Sequence, residues 1–119
     1  AFNTRWLMKP VEKFMGHAVQ QLNLAGGGGN SDVWCQIMAD VLNVEVRQVQ
    51  DPIQANARGA AFIAAAGLGE LELKDVAKLV QFRRVYAPTL EHRGVYDARY
   101  EIFVEIYRQM KDVYRKLNG

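Results

Sequence analysis

Residues 22–34 read LNLAGGGGNSDVW. A short apolar run containing Leu22 and Leu24 enters four consecutive glycines, Gly26 to Gly29. It leaves through Asn30 and Ser31 into an amphipathic pattern of Val33, Trp34, Ile37, Met38, Val41 and Leu42. The reading is strand, glycine turn, helix. Glycine admits positive φ and lets a ligand approach bare backbone, while the first amides of the following helix have no carbonyl partner of their own. A phosphate or the edge of a nucleoside fits such a place. Glycine runs also serve as flexible tethers, but the flanks here are apolar and periodic, as a tether's are not.

Outward from the turn, Gln20 to Ala25 alternates leucine with polar residues and is short enough for a strand. Ser31 or Asn30 caps the helix, which runs to about Leu42 with Asn43 as its stop. Periodicity places Trp34 in the core rather than as a lid over the turn. Val44 to Val49 sets Val44, Val46 and Val49 around Glu45, Arg47 and Gln48 and reads as a second strand, broken by Asp51-Pro52. Strand, helix and strand make a βαβ unit with parallel strands and a right-handed crossover.

Upstream, Trp6, Leu7, Val11, Phe14 and Met15 space a helix over Thr4 to Met15, capped by Asn3 or Thr4 and ended by Gly16, with a kink or restart at Pro10. Downstream, Gln54 to Leu68 is alanine-rich on nearly every face, so a buried helix is expected, with a backbone or ligand close to Gly59. A short helix over Leu73 to Leu79, an extended piece within Gln81 to Pro88 and a loop over Thr89 to Gly94 follow. The last helix, about Tyr96 to Leu117, has a wide stripe of Tyr96, Tyr100, Phe103, Tyr107, Met110, Tyr114 and Leu117, which suits docking on a domain better than a coiled coil.

Composition narrows the function classes. With 119 residues the chain has the size of one domain. A formal charge of +2, from 15 Lys plus Arg against 13 Asp plus Glu, lacks the basic excess expected of a nucleic-acid binder. The longest apolar run, Ala60 to Ala66, is too short for a membrane span. Cys35, the single cysteine, cannot form an internal disulfide and suits a reducing cytoplasm. His17 reads as a solvated helix-end residue, His92 has no metal-site neighbours in sequence, and the Arg83-Arg84 pair reads as solvated surface or an ion-pairing site. The start, Ala-Phe-Asn-Thr, reads like the middle of something longer.

The run Gly26-Gly27-Gly28-Gly29-Asn30-Ser31, then Trp34, Gln36, Ala39, Asp40, Val41, Leu42 and Val46, and further on Gly59-Ala60-Ala61, resembles the C-terminal nucleotide-binding region of the FGGY carbohydrate kinases. It is most similar to their xylulokinase-like branch, which Asn3-Thr4-Arg5-Trp6 and Tyr96-Asp97 also suit. The resemblance implies an α/β fold, a three-layer fragment of an actin-like (ribonuclease H-like) ATPase domain, with a βαβ unit and a long C-terminal helix. It implies one partial domain over residues 1–119, belonging to a cytoplasmic kinase that binds ATP or ADP with Mg²⁺ and phosphorylates a pentulose such as xylulose.

By the same resemblance, Gly26 and Gly27 meet the nucleotide phosphates, Ser31 contacts the adenine, and Gly28, Gly29 and Asn30 complete the turn. Gly29 stands where alanine is frequent in the family, a departure expected to loosen the turn. The family's catalytic base and sugar-binding residues lie upstream and have no counterpart here. Asp32, Asp40 and Asp51 do not take that role, and Asp40 reads as a helix-face or packing residue. The chain alone is therefore expected to be inactive and, lacking strands of the parent sheet, to expose apolar surface and self-associate. The rival reading is a non-catalytic interaction module on an actin-like scaffold, with a glycine turn that is only structural.

Overall fold

The computed structural model describes residues 1–118. The expected βαβ unit is present. Strand β1 (Gln21–Leu24) leads through the glycine turn into helix α2 (Asp32–Leu42) and then strand β2 (Glu45–Val49), which lies parallel to β1 with Leu22 opposite Val46. Ser31 caps α2 by accepting from the Trp34 amide at 3.2 Å. Asn43 ends the helix in the left-handed region (φ 57°), with its amide donating to the Ala39 carbonyl at 2.8 Å. Strand β3 (Phe82–Tyr86) completes a β1-β2-β3 sheet by pairing antiparallel with β2.

The core sits where α2 covers this sheet. Cys35, Met38, Ala39, Val41 and Leu42 from α2 meet Val44, Val46 and Tyr86, all buried. Helix α1 (Phe2–Met15) lies on α2 and begins two residues earlier than expected, so Asn3 and Thr4 lie inside it and provide no cap. It runs through Pro10 without a restart. Gly16 ends it at φ 74° with its amide on the Glu12 carbonyl.

Helix α5 (Arg93–Leu117) packs its first half on α1 through aromatic contacts, including Phe2 with Phe103 at 5.6 Å and Trp6 with Tyr107 at 4.6 Å between ring centroids. Asp97 ties the two helices by accepting from Arg5 at 2.6 Å and from Arg93 at 2.9 Å. The distal half of the expected docking stripe is not covered: Tyr114 and Leu117 are exposed. Docking thus describes only the half that α1 reaches.

The alanine-rich helix α3 (Ala55–Gly67) departs from expectation. None of its residues is buried, and a Cβ built on Gly59 would meet nothing within 4 Å. The helix rests on the short 3₁₀ turns at Pro52–Gln54 and Leu73–Asp75, and α4 (Val76–Leu79) follows before β3. Its small side chains are suited to close packing, but among the described residues its neighbours leave Ala55, Ala65 and Ala66 only half-buried and the others of its alanines exposed. The same holds for the molecule as a whole. It exposes 8577 Å², against about 6,500 Å² for a free-standing monomer of its mass.

Candidate nucleotide-binding turn

The four glycines are ordered rather than tether-like. Gly26 adopts φ 76° and ψ −168°, a conformation in which a side chain would be strained, and its amide donates to the Pro52 carbonyl at 2.7 Å. Gly27–Asn30 then form one 3₁₀ turn, with the Gly29 amide on the Gly26 carbonyl at 3.0 Å and the Ser31 amide on the Gly28 carbonyl at 3.3 Å. The amides of Gly27 and Gly28 fall in the first turn and have no intrahelical acceptor. Among the described residues no turn or cap hydrogen bond uses them either. Of the Gly26 to Gly28 amides read as a phosphate site, that of Gly26 is thus engaged by Pro52, and those of Gly27 and Gly28 make no backbone hydrogen bond.

A Cβ on Gly26 or Gly27 would meet nothing within 4 Å, so the backbone there is open to an approaching group, whereas one on Gly28 would meet the Trp34 indole at 3.1 Å. Immediately after the turn comes the N-terminus of an 11-residue helix, whose dipole favours negative charge. Asn30 lines a small cavity of about 200 Å³ with Asp51, Pro52, Ile53 and Gln54. Ser31 spends its hydroxyl on the α2 cap, which leaves that oxygen less free for a base contact.

Two expectations at the turn are corrected. Gly29 does not loosen it: the residue is buried, and a Cβ there would lie 2.9 Å from both the Leu24 carbonyl oxygen and the Pro52 Cβ. The missing methyl is what lets the turn sit against β1. Trp34 is not core; it remains 37% exposed and lies beside the turn, with its indole 3.1 Å from where a Gly28 Cβ would be. One turn into a helix whose buried face points at the sheet, position 34 looks along the turn instead.

Beneath the glycines lies a polar cluster that the sequence did not announce. Gln48 on β2 is fully buried, and its amide group donates to the Gly29 carbonyl at 2.8 Å and to Asp32 Oδ1 at 3.1 Å. Its carbonyl accepts from the Tyr86 hydroxyl at 3.3 Å. The bond from Gln48, with the Tyr86 hydroxyl and the charges of Arg83 and Arg84 nearby, holds the Asp32 carboxyl below the ordinary range against some desolvation. Burial and the Asp32 charge push the Cys35 thiol up, away from the reactive thiolate. The signal for Gln48 was available: strict alternation from Val46 places position 48 on the core face.

A second cluster fixes the entry to α5. Asp40, buried in α2, accepts from Gln36, from the Thr89 amide and from His92 Nδ1, each at 2.8 Å. This bears out the packing reading of Asp40 and gives His92 a partner that its sequence neighbours did not show. Burial pushes the Asp40 carboxyl upward, but the bonds from His92, Thr89 and Gln36 outweigh it and the net shift is downward. The unfolded chain therefore takes up the proton first as pH falls. Stability from Asp40 is present above the usual carboxylate value of about 3.9 and drains below it, toward the lower folded value. Asp97, held down chiefly by Arg5, acts in the same direction. Urea midpoints measured from pH 6 to pH 2.5 are expected to fall on that limb, and Asp40→Asn is expected to flatten it.

Similarity to known proteins follows the same geometry. The C-terminal domain of the FGGY family of carbohydrate kinases matches residues 1–68, and the chain belongs to that family. Among its relatives, a xylulose kinase of Staphylococcus epidermidis is 30% identical over 100 residues, covering 82% of this chain and 20% of that protein. An autoinducer-2 kinase of Yersinia enterocolitica is 37% identical over 90 residues, covering 74% and 17%. The crystal structure of xylulose kinase from Rhodospirillum rubrum superposes with a TM-score of 0.73 at 34% identity, over 96% of this chain and 23% of that one. The chain thus spans about a fifth of the length of the curated relatives it matches. Its fold is a mixed α/β piece of the actin-like ATPase architecture these kinases share.

The residues present fit one implied group better than the other. Glycine amides without backbone acceptors, in a turn that leads into a helix, are chemistry that suits a nucleotide phosphate. For Mg²⁺, no cluster of three His, Cys, Asp or Glu side chains is found among the described residues, so these residues alone build no cage for it. Among the described residues no helix is long and apolar enough to cross a membrane.

Proposed function

We propose that this chain supplies the phosphate-facing half of the ATP site in a cytoplasmic sugar kinase, an enzyme that transfers the γ-phosphate of ATP to a hydroxyl of a pentulose such as xylulose. The observation that carries the reading is the pair of amides at Gly27 and Gly28, which make no backbone hydrogen bond and belong to exposed residues of the 3₁₀ turn just ahead of α2. Gly26, Gly29, Asn30 and Ser31 shape the turn around them. Bound ATP, with its Mg²⁺, brings the phosphoryl group, and this chain's part is to hold phosphate oxygens by fixed dipoles that need no reorganisation. By the same reading, the base that takes the proton from the acceptor hydroxyl and the sugar site lie outside this chain, which alone is expected to be inactive.

Titration of the ¹⁵N-labelled chain with ATP and ADP tests this. The Gly27, Gly28 and Ser31 amides are expected to move together and to saturate, and Gly27→Val is expected to weaken binding by at least tenfold while leaving the fold intact. Calorimetry on an intact parent enzyme provides the decisive arm: absence of ATP binding there leaves the interaction-module reading instead. The acceptor is read from product formation with xylulose. The apolar surface left open on α3 and α5 is also expected to drive self-association, visible in light scattering as a mass that rises with concentration.

A further inference from the structure

We propose that Gln48 is the positioning residue of the glycine turn, the group that sets the direction of the Gly27 and Gly28 amides without touching the ligand. The inference rests on the nucleotide reading of that turn. Four consecutive glycines have little conformational preference of their own and lose more freedom on ordering than any other residues. Something outside the run must hold it. The Gly26 amide is fixed at one end by Pro52, and Gln48 supplies the hold at the other.

The geometry is specific. Gln48 sits in β2, the central strand, with parallel β1 on one side and antiparallel β3 on the other. Its side-chain nitrogen reaches the Gly29 carbonyl at 2.8 Å and the Asp32 carboxylate at 3.1 Å, so one amide group ties the end of the turn to the first residue of α2. With the Gly29 carbonyl held by Gln48 and the Gly29 amide on Gly26, the 3₁₀ turn is fixed at its end, and Gly27 and Gly28 lie exposed between these anchors. The Gly29 carbonyl and the Asp32 carboxylate can only accept, which places the Gln48 nitrogen toward the glycines, and the side-chain oxygen accepts from the Tyr86 hydroxyl at 3.3 Å. The other side-chain donor on the Gly29 carbonyl is the Cys35 thiol at 3.8 Å, a weak one.

Gln48→Met keeps an unbranched chain of similar length and removes both donors and the acceptor. Tyr86→Phe is the comparison, because it cuts the same cluster at the end away from the glycines. Amide exchange of Gly29 and Ser31, referenced to the Ala39 amide within α2, and heteronuclear NOEs of Gly27 and Gly28 are the readouts. A role confined to stability would move all of these amides together. In Gln48→Met the Gly29 and Ser31 amides are expected to exchange at least tenfold faster relative to Ala39, and the Gly27 and Gly28 NOEs to drop; in Tyr86→Phe the turn keeps its order. Gln48→Glu, which retains length and the Tyr86 bond but not the donors, is expected to loosen the turn as the methionine does and serves if that variant does not fold.

Turn amides that keep their relative protection and NOEs in a folded Gln48 variant overturn the proposal, as does loosening of equal size in Tyr86→Phe. ATP titration separates the two ideas. A wild-type turn that ignores ATP in an intact parent sinks the nucleotide reading whatever Gln48 does, whereas a responsive wild type with unchanged affinity in Gln48→Met sinks the positioning role alone.

Discussion

Replacing Asp40 with alanine is expected to lower the stability of this chain by about 3 kcal/mol. The carboxylate is 3% exposed and receives three hydrogen bonds, each at 2.8 Å, from Gln36, Thr89 and His92. Removing an acceptor strands each donor at a cost of about 1–3 kcal/mol if it stays buried. His92 is more than half exposed and Thr89 borders the surface, so water recovers part of that loss. The remainder is large against the roughly 5–15 kcal/mol that usually holds a domain together. Because the three bonds fasten the β3–α5 connection to α2, the loss is also expected to fray the start of α5. Urea unfolding checks the magnitude, and the Tyr96 and Tyr100 resonances check the location. Asp40→Asn is expected to lose about half as much, since its oxygen still accepts while its nitrogen faces a donor. A wild-type urea midpoint for Asp40→Ala would show that the cluster carries no net stability.

The difference between what could and could not be read from the sequence follows one physical line. The path from Leu22 through the glycines to Val49 was legible because each element announces itself locally: alternation for the strands, Ser31 and Asn43 as caps, glycine where φ turns positive. What depends on partners distant in sequence was not. Asp40 and His92 lie 52 residues apart, and Gln48 and Tyr86 lie 38 apart, so neither pairing leaves a mark in the local pattern. Trp34 shows the limit of periodicity, which gives a face but not what the face meets. At α3 the small residues were read as a buried, closely packed helix, yet no residue of the helix is buried; composition shows what a helix can pack against, not whether anything does. The resemblance located the turn; the backbone bonds add that the Gly26 amide is taken by Pro52, while those of Gly27 and Gly28 make no backbone hydrogen bond.

Gly29→Val is expected to cost about 3 kcal/mol, while Gly27→Val, two residues away in the same turn, is expected to cost almost nothing in stability. At Gly29 even the first added carbon lies 2.9 Å from a β1 carbonyl oxygen and 2.9 Å from Pro52, and both neighbours belong to elements that anchor the turn. Alanine there asks for a small displacement, in line with the resemblance that finds alanine at this position, and about 1 kcal/mol is expected. Valine's two further methyls have nowhere to go short of parting the turn from β1 and Pro52, near the upper end of the usual overpacking cost of about 1–3 kcal/mol. That shift also carries the Gly29 carbonyl away from Gln48. At Gly27 the same carbon meets nothing within 4 Å, so any loss there is a loss of ligand approach. Thermal unfolding and ATP titration of the two variants separate the roles: Gly29→Val melts early, and Gly27→Val melts like the wild type but answers weakly to ATP. Equal melting losses in both would mean that the turn is a rigid structural joint throughout, with no open backbone reserved for a phosphate.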